Sequence, residues 1–213
     1  MSSRESLRKK SARIGYNVGF GSRRHFATYE IIEKVPTYFG VVTFGFGIVF
    51  LKYPNTAVSD FIAVLTSIIG GAIVYLNFYA NEKDNYEKIG KKLNALYNRT
   101  CSIHEKSKTC TKSELLSFDS ELDIINDELQ SLSIHNQVFF SNELAHFKLF
   151  GESQSGWFVE ELKLTFWKDK IPAIWRVYAV VVIIITLIFL ITSIVINCDV
   201  FATIAEFINA CKR

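Results

Sequence analysis

Residues 61–81 read FIAVLTSIIGGAIVYLNFYAN, a run of 21 residues without a charged side chain. Two further charge-free runs, residues 35–51 and residues 177–198, hold 17 and 22 residues. At about 1.5 Å per residue, a helix of about 20 residues crosses the hydrocarbon core of a bilayer, which is about 30 Å thick. A helix on the surface of a soluble protein carries charges on its water-facing side instead. The sequence therefore predicts an all-α membrane protein with three transmembrane helices.

The distribution of lysine and arginine predicts how the chain is oriented. Residues 1–34 contain eight of them and residues 82–176 contain thirteen, whereas residues 52–60 contain one and residues 199–213 contain two. Because basic residues favour the cytoplasmic side, we expect the N-terminus inside and the C-terminus outside. The predicted order is a cytoplasmic basic helical arm (1–34), a two-span membrane hairpin (35–81), a cytoplasmic helical domain (82–176), a third transmembrane helix (177–198) and an external amphipathic tail (199–213).

In this topology the four cysteines fall on the two sides of the membrane. Cys101 and Cys110 lie in the reducing cytoplasm, and their spacing matches no zinc motif, so we expect free thiols. Cys198 and Cys211 lie outside, at the two ends of the amphipathic tail. The sequence is compatible with a disulfide between them and with two thiols.

The domain at 82–176 has the apolar spacing of a coiled coil. Apolar residues alternate at steps of three and four along one seam: Leu115, Phe118, Leu122, Ile125, Leu129 and Leu132. A capping box from Thr111 to Glu114 starts that helix, and a similar stripe precedes it from Tyr86 to Thr100. The two helices are predicted to form an antiparallel, coiled-coil-like hairpin that associates with other copies. Because no proline or glycine separates Asn81 from the hairpin, we expect the second span to continue straight into it.

Aromatic residues cluster shortly before the third span and include Trp157, Phe158 and Trp167. Tryptophan near a transmembrane helix typically lies at the depth of the lipid headgroups. We therefore expect residues 156–170 to form a helix that approaches or lies on the inner membrane surface.

Polar and small residues share one face of the second span. Thr66, Gly70, Asn77 and Asn81 follow this face at helical spacing, and Asp60 lies at its outer end. Polar groups are costly against lipid but are tolerated against water or another helix. If several copies surround an axis, these five residues line a pore, and a ring of Asp60 carboxylates favours cations. The alternatives are that the small residues pack the first two spans together within one chain, and that Asp60 only caps its helix.

The sequence offers no recognisable catalytic or cofactor-binding motif. The run from Gly19 to Gly21 lacks the third glycine of a dinucleotide fingerprint, and the pair Gly90 and Lys91 lacks the first glycine of a phosphate-binding loop. Metal-ligand spacing is also missing among the four histidines: His25, His104, His135 and His146. We therefore expect neither an enzyme nor a bound cofactor or metal.

Several features together resemble a known family. Residues 13–17 (RIGYN) and 23–27 (RRHFA) lie in a basic segment before two closely spaced spans, and a segment rich in Lys, Leu and Tyr follows at 86–99. This arrangement, over roughly residues 10–135, resembles the SLATT domains, two-span membrane effectors of bacterial conflict and antiphage systems. The resemblance implies an oligomeric pore former of the bacterial inner membrane, without catalytic activity. It also implies control by a nucleotide signal, made by a neighbouring nucleotidyltransferase or released by a sensor protein.

A phosphate-bearing ligand would arrive at the cytoplasmic side, where basic side chains are concentrated. The candidates for binding it lie in the basic arm and in the first helix of the hairpin: Arg8, Lys9, Lys10, Arg13, Arg23, Arg24, Lys91, Lys92, Tyr97 and Arg99. Basic groups interleaved with an aromatic ring suit a short single-stranded oligonucleotide better than a compact mononucleotide, with Tyr97 as a base-stacking platform. The alternative is that the cations of the arm set the topology and hold anionic lipids.

We therefore predict a homo-oligomeric ion channel or pore, for example a tetramer, gated by a nucleotide or oligonucleotide bound on the cytoplasmic side. The alternative is a non-conducting, membrane-anchored coiled-coil scaffold that recruits a soluble partner. The polar face of the second span favours the channel, whereas the apolar seam fits both.

Overall fold

The structure is a computed structural model that describes residues 3–187 other than 133, 135 and 173. Its contacts divide the chain into two compact units, Met1–Thr165 and Phe166–Arg213. Every regular element among the described residues is helical, as the sequence predicts. The far end of the predicted third span, the external tail and the Cys198–Cys211 pair lie outside the described residues.

Within the described part of the first unit there are six α-helices. They are α1 (Ser3–Lys52), α2 (Ala57–Asn77), α3 (Lys83–Lys106), α4 (Lys112–Leu132), α5 (Ser141–Phe147) and α6 (Gly156–Leu162). A 3₁₀ turn, Ala80–Glu82, precedes α3, and a π-helical turn, Lys148–Glu152, follows α5. The second unit contains a π-helical turn, Phe166–Lys170, and the apolar helix α7, Ile174–Leu187, which covers the start of the predicted third span.

The central element of the first unit is α1, which packs against α2, α3, α4, α5 and α6. It is one helix of 50 residues, and is therefore about 75 Å long. Pro36 lies inside it, where the basic segment meets the first charge-free run. We call residues 3–34 the polar half of α1 and residues 35–52 its apolar half.

The apolar half of α1 and helix α2 are long and apolar enough to cross a membrane. They run antiparallel, since Phe39 and Ala72 line one groove between them while Gly47 and Ile62 line another. Most of their large apolar side chains, such as Phe44, are exposed on the single chain. Apolar surface of this extent is stable against lipid rather than against water. The structure thus supports two of the predicted spans.

Helix α2 does not continue straight into α3, so that prediction is wrong. The α-helix ends at Asn77, and a turn with a short 3₁₀ segment separates it from Lys83. In an unbroken helix Leu76 and Tyr86 would point about 80° apart. With the break, both are buried in one apolar cluster with Ile32 of α1. The packing of both helices against α1 therefore accounts for a break that no proline or glycine marks.

The polar half of α1 forms a bundle with α3, α4, α5 and α6, which we call the packed bundle. The seam of α4 is buried in it: Leu122 and Ile125 are fully buried in one core with Val18 of α1 and Leu93 of α3. A coiled-coil period reveals an apolar face but does not identify what covers it. Here α1 and α3 of the same chain cover the seam, so the expectation that the seam serves self-association is wrong.

Trp157 and Phe158 belong to the packed bundle rather than to a membrane surface. Phe158 is fully buried, and the indole of Trp157 lies directly against Gly15 of α1, where a Cβ atom would overlap the ring. The indole Nε1–H also donates to the hydroxyl oxygen of Tyr97 at 3.1 Å. The predicted position of these two residues at headgroup depth is therefore wrong, because glycine at position 15 provides a place for the indole in the core.

Candidate functional site

Two of the predicted ligand-binding cations in α1 hold the packed bundle together. The guanidinium of Arg8 pairs with Glu161 of α6 at 2.5 Å, and the ammonium of Lys10 lies 2.7 Å from both Asp119 and Asp123 of α4. Burial lowers the pKa of Lys10, but hydrogen bonds to the two aspartates outweigh it, so that the pKa is raised overall. These cations are already neutralised by the chain itself.

Arg23 and Arg24 also have partners within the chain. Arg23 donates to the hydroxyl of Ser153 at 2.8 Å and to the amide oxygen of Asn94 at 3.1 Å. Arg24 donates to the carbonyl of Ile134 at 3.2 Å, and burial lowers its pKa. Replacing both arginines by glutamate would therefore disturb the bundle, and loss of ligand binding in that variant would not identify a ligand site.

The other predicted cations lie on the surfaces of α1 and α3. Three of them pair with nearby glutamates: Lys9 with Glu5, Lys91 with Glu87, and Arg99 with Glu121. Exposed pairs of this kind contribute little to stability and can exchange one anion for another. Arg13 and Lys92 are exposed as well.

Tyr97 is buried, and its hydroxyl is committed to the core. The hydroxyl donates to the carbonyl of Gln154 at 2.8 Å and accepts from Trp157, while the ring lies against Gly19. Burial raises the pKa of this phenol. The expectation that Tyr97 offers an open ring face to a nucleotide base is wrong, because Gly19 and Trp157 occupy its surroundings.

A charged cleft of about 480 Å³ lies between the start of α1, the end of α3 and α6. Eight charged residues of both signs line it: Glu5, Arg8, Lys9, Glu105, Lys108, Glu160, Glu161 and Lys163. His104 and Trp157 form an aromatic wall, with ring centroids 4.9 Å apart. Three of the four basic groups pair with carboxylates of the same cleft (Arg8 with Glu161, Lys9 with Glu5 and Lys108 with Glu105), so an anionic ligand competes with these carboxylates. Sequence reasoning missed Lys108 and Lys163 because they lie far apart along the chain.

His104 connects this cleft to the bundle core. Its Nδ1 lies 3.1 Å from the hydroxyl of Ser11, and the side chain is buried. Burial lowers its pKa, while the carboxylate of Glu161 opposes this and the charge of Arg8 adds to it. At neutral pH this imidazole is therefore uncharged.

The segment after α4 joins the packed bundle to the end of α2. The hydroxyl of Tyr86 donates to the carbonyl of Asn136 at 2.6 Å, and the backbone N–H of Phe139 donates to the hydroxyl of Tyr75 at 3.1 Å. Thr28 of α1 donates to the side-chain oxygen of Gln137 at 2.5 Å. Sequence reasoning did not single out this joint, since its backbone contacts leave no periodic pattern.

His25 lies at the centre of the same joint and is fully buried. Its Nδ1 lies 2.7 Å from the carbonyl of Gly21, so Nδ1 carries the proton. Its Nε2 faces the backbone N–H of Ile134 at 3.4 Å and the amide nitrogen of Gln137 at 3.5 Å. Burial lowers the pKa of His25, and the charge of Arg24 adds to this effect. A second proton, on Nε2, would face two other hydrogen-bond donors, the backbone N–H of Ile134 and the side-chain amide of Gln137. The surroundings of His25 therefore favour the neutral ring.

The five predicted pore-lining residues differ in their surroundings. Gly70 and Asn77 are exposed, whereas Thr66 is half-buried in the groove between α1 and α2. Asn81 lies in the 3₁₀ turn beyond the end of α2, so helical spacing no longer places it on the face of Asn77. Asp60 is exposed in the first turn of α2.

The start of α2 is capped by other residues than Asp60. The hydroxyl of Thr56 accepts from the backbone N–H of Ser59, and the hydroxyl of Ser59 accepts from the backbone N–H of Thr56. This reciprocal pair satisfies the free donors at the helix start. The carboxylate of Asp60 is therefore not required as a cap.

The glycines of the two spans have no close neighbour among the described residues. No atom of another part of the described chain lies within 4 Å of an added Cβ at any of five positions: Gly40, Gly45, Gly47, Gly70 and Gly71. These five glycines therefore make no close contact between the first two spans, although Gly47 and Thr66 line the open groove between them.

Comparison with protein families gives a match over most of the chain. A family model described as "SMODS and SLOG-associating 2TM effector domain 6", a SLATT domain, matches residues 2–184. This match extends beyond roughly residues 10–135, the part of the sequence in which the resemblance to the family was found. No curated protein and no solved structure matches the chain. The chain belongs to the SLATT family of two-span effector domains.

Proposed function

We propose that this SLATT protein is a homo-oligomeric ion channel or pore of the bacterial inner membrane and an effector of antiphage defence. The observation that carries the proposal is the unpacked set of glycines on α2 and on the apolar half of α1. Small residues let membrane helices approach closely, and among the described residues no helix approaches these glycines. Other copies of the chain are the partners that fit these faces.

The exposed polar groups of α2 support a pore in which this helix lines the central axis of the assembly. Asp60, Gly70 and Asn77 are exposed on the single chain, and polar groups in a span are tolerated where they face water or another helix. In a symmetric assembly Asp60 repeats as a ring of carboxylates, which attracts cations. In the proposed topology the N-terminus and the packed bundle are cytoplasmic, and a third span brings the C-terminus outside.

The gating signal in this proposal is a nucleotide or short oligonucleotide from a neighbouring nucleotidyltransferase. The family description, which names association with SMODS and SLOG proteins, supports a neighbouring partner. The charged cleft is the site that fits best, because phosphates can replace Glu161 beside Arg8 and Glu105 beside Lys108. Releasing Glu161 would loosen α6 from α1. The protein itself performs no catalysis in this account.

A second function is a non-conducting anchor that recruits a soluble partner. The exposed side chains of Leu116 and Ile124 on α4 favour it, since neither has a place in the core. This alternative requires no current through the membrane.

Current across a planar bilayer that contains the purified full-length protein tests the proposal. Oligonucleotides and cyclic dinucleotides are added to the side that bears the bundle, and we expect conductance to change. The variant Lys108→Glu with Lys163→Glu should lose this response, whereas Lys88→Glu with Lys106→Glu, exposed and outside the cleft, should keep it. A wild-type protein that inserts but never conducts would favour the anchor instead.

A further inference from the structure

The turn between α4 and α5 exposes two adjacent phenylalanines on the surface of the first unit. Phe139 and Phe140 are 64% and 54% exposed, and their rings stack edge to face with centroids 4.5 Å apart. The residue before them, Val138, is buried with Ile32 and Leu76. Phe140 has a left-handed backbone with φ of 68°, which is costly for a bulky residue and is maintained here by the surrounding fold. The turn is thus fixed while its two largest apolar groups point outward.

The turn lies where the packed bundle meets the spans, and its phenylalanines face the start of the charge-free run of α1 and the end of α2. Together with the two phenylalanines, Val35 and Phe39 of α1 and Ala72 of α2 line an apolar groove of about 360 Å³. Phe39 is five residues beyond Lys34 and is therefore about 7 Å into the charge-free run. The groove has no charged residue in its lining.

Two backbone donors of the turn are paired within the protein, as an apolar environment favours. The N–H of Phe139 donates to the hydroxyl of Tyr75 at 3.1 Å, and the N–H of Ser141 donates to the carbonyl of Val138 at 3.1 Å. Irregular backbone at membrane depth is stable only when its polar groups are paired by protein.

Charged residues form a rim on the bundle side of the groove. Glu30 of α1 lies 3.6 Å from Lys34 and also pairs with Lys148, and Lys83 pairs with Glu33. Lys34 is the most exposed of these lysines, at 54%, and its pair with Glu30 is long, so its ammonium can turn to the phosphate of a lipid headgroup. The charged rim and the apolar groove together match the two parts of a phospholipid.

We propose that Phe139 and Phe140 form a wedge inserted into the leaflet nearest the packed bundle, and that an acyl chain of a phospholipid occupies the groove behind them. In the proposed orientation this is the inner leaflet. The wedge requires that α1 and α2 lie in a membrane, but it does not require that the protein conducts ions. The wedge proposal can therefore be correct even if the channel proposal is wrong.

Fluorescence quenching in lipid vesicles tests the wedge on the full-length protein. An environment-sensitive probe is attached to Phe139→Cys or to Phe140→Cys after all native cysteines are replaced by serine: Cys101, Cys110, Cys198 and Cys211. Control probes are placed at Leu116, which is 77% exposed on α4, and at Phe44 in the apolar half of α1. The lipids carry a nitroxide either near the headgroup or near the chain end.

We expect the probes at 139 and 140 to lose more than half of their emission with nitroxides near the headgroup, and little with dissolved iodide. The probe at 116 should show the reverse, and the probe at Phe44 should respond best to nitroxides near the chain end. Quenching of both turn probes by iodide would place the turn in water and overturn the wedge. Protection from both quenchers would mean that a second copy of the chain covers the phenylalanines, which also overturns it.

Retention of phospholipid by the detergent-solubilised protein tests the groove separately. Ala72→Trp fills the groove, whereas Val74→Trp places the same indole at an exposed position outside its lining. By native mass spectrometry we expect Ala72→Trp to retain less phospholipid than the wild type, and Val74→Trp to match the wild type. Equal retention by all three proteins would show that no acyl chain binds in the groove.

Discussion

The two halves of α1 belong to one helix but differ in how their packing is completed. In the polar half, Gly15 lies against Trp157 and Gly19 lies against Tyr97, so that glycine is needed for neighbours of the same chain. In the apolar half, no atom of the described residues lies within 4 Å of a Cβ added at Gly40, Gly45 or Gly47. Within the described residues, the chain thus completes the packed bundle but leaves the glycines of its two apolar helices uncovered. Glycine thus marks close intrachain packing in one half and open space in the other, which the proposed function assigns to contact with other copies.

The largest effect is expected from a charge placed in the seam of α4. Leu122 is fully buried, so Leu122→Asp leaves a carboxylate without a partner in the core and should cost about 4 kcal/mol or more. The matched control is Leu116→Asp on the exposed face of the same helix, which should change stability by about 0.5 kcal/mol at most. Thermal unfolding followed by circular dichroism measures both. Equal stability of the two variants would show that the seam is not part of the core.

Replacing a glycine by alanine in each half of α1 compares the packing of the two halves directly. Gly15→Ala forces the indole of Trp157 to move and should destabilise the bundle by about 1–3 kcal/mol. Gly45→Ala meets open space and should be neutral or slightly stabilising for the single chain, because alanine is favoured in helices by about 1 kcal/mol. Melting temperatures in detergent give the comparison. If both variants melt alike, the polar half is not packed as described.

Acid should weaken the packed bundle through its two buried histidines. Burial lowers the pKa values of His25 and His104 below 6.5 in the folded chain. The unfolded chain therefore takes up protons first as the pH falls, and stability is full above about pH 7 and declines below about pH 6.5. We expect the melting temperature to fall between about pH 7 and about pH 5, and His104→Phe to reduce this dependence. A flat profile for the wild type would contradict the neutral, buried state of both rings.

The smallest effect on stability is expected at the start of α2. Thr56 and Ser59 cap this helix, so Asp60→Asn should change the free energy of unfolding by about 0.5 kcal/mol at most, and the melting temperature should stay nearly the same. If Asp60 forms a ring at a cation-selective pore, the same substitution moves the reversal potential in a salt gradient toward zero. An unchanged reversal potential would remove Asp60 from the pore mouth.

Much of the fold could be predicted from local pattern. Runs without charge indicated the two supported spans, and the period of α4 indicated a buried seam. What covers the seam could not be predicted, because Val18 and Leu93 approach it only after the chain has folded back. The break after Asn77 follows from the packing of Leu76 and Tyr86 and has no signal of its own.

The candidate site was less predictable than the fold for a related reason. A basic side chain looks the same in sequence whether it is free or paired, and Arg8 and Lys10 turned out to be paired with carboxylates distant along the chain. The pairing of Trp157 with Gly15 likewise joins residues from opposite ends of the first unit. Contacts of this kind join residues that are far apart in the chain, so they produce no periodic pattern in the sequence.

The molecular mass of the protein in a mild detergent tests most directly whether other copies complete the membrane half. Multi-angle light scattering should give a mass several times that of one chain for the wild type. Gly45→Leu with Gly70→Leu should keep its helical content and its melting behaviour but lose this association, since both positions are open in the single chain. A wild-type protein that remains a single chain, or a doubly substituted protein that keeps the same assembly, would contradict the account.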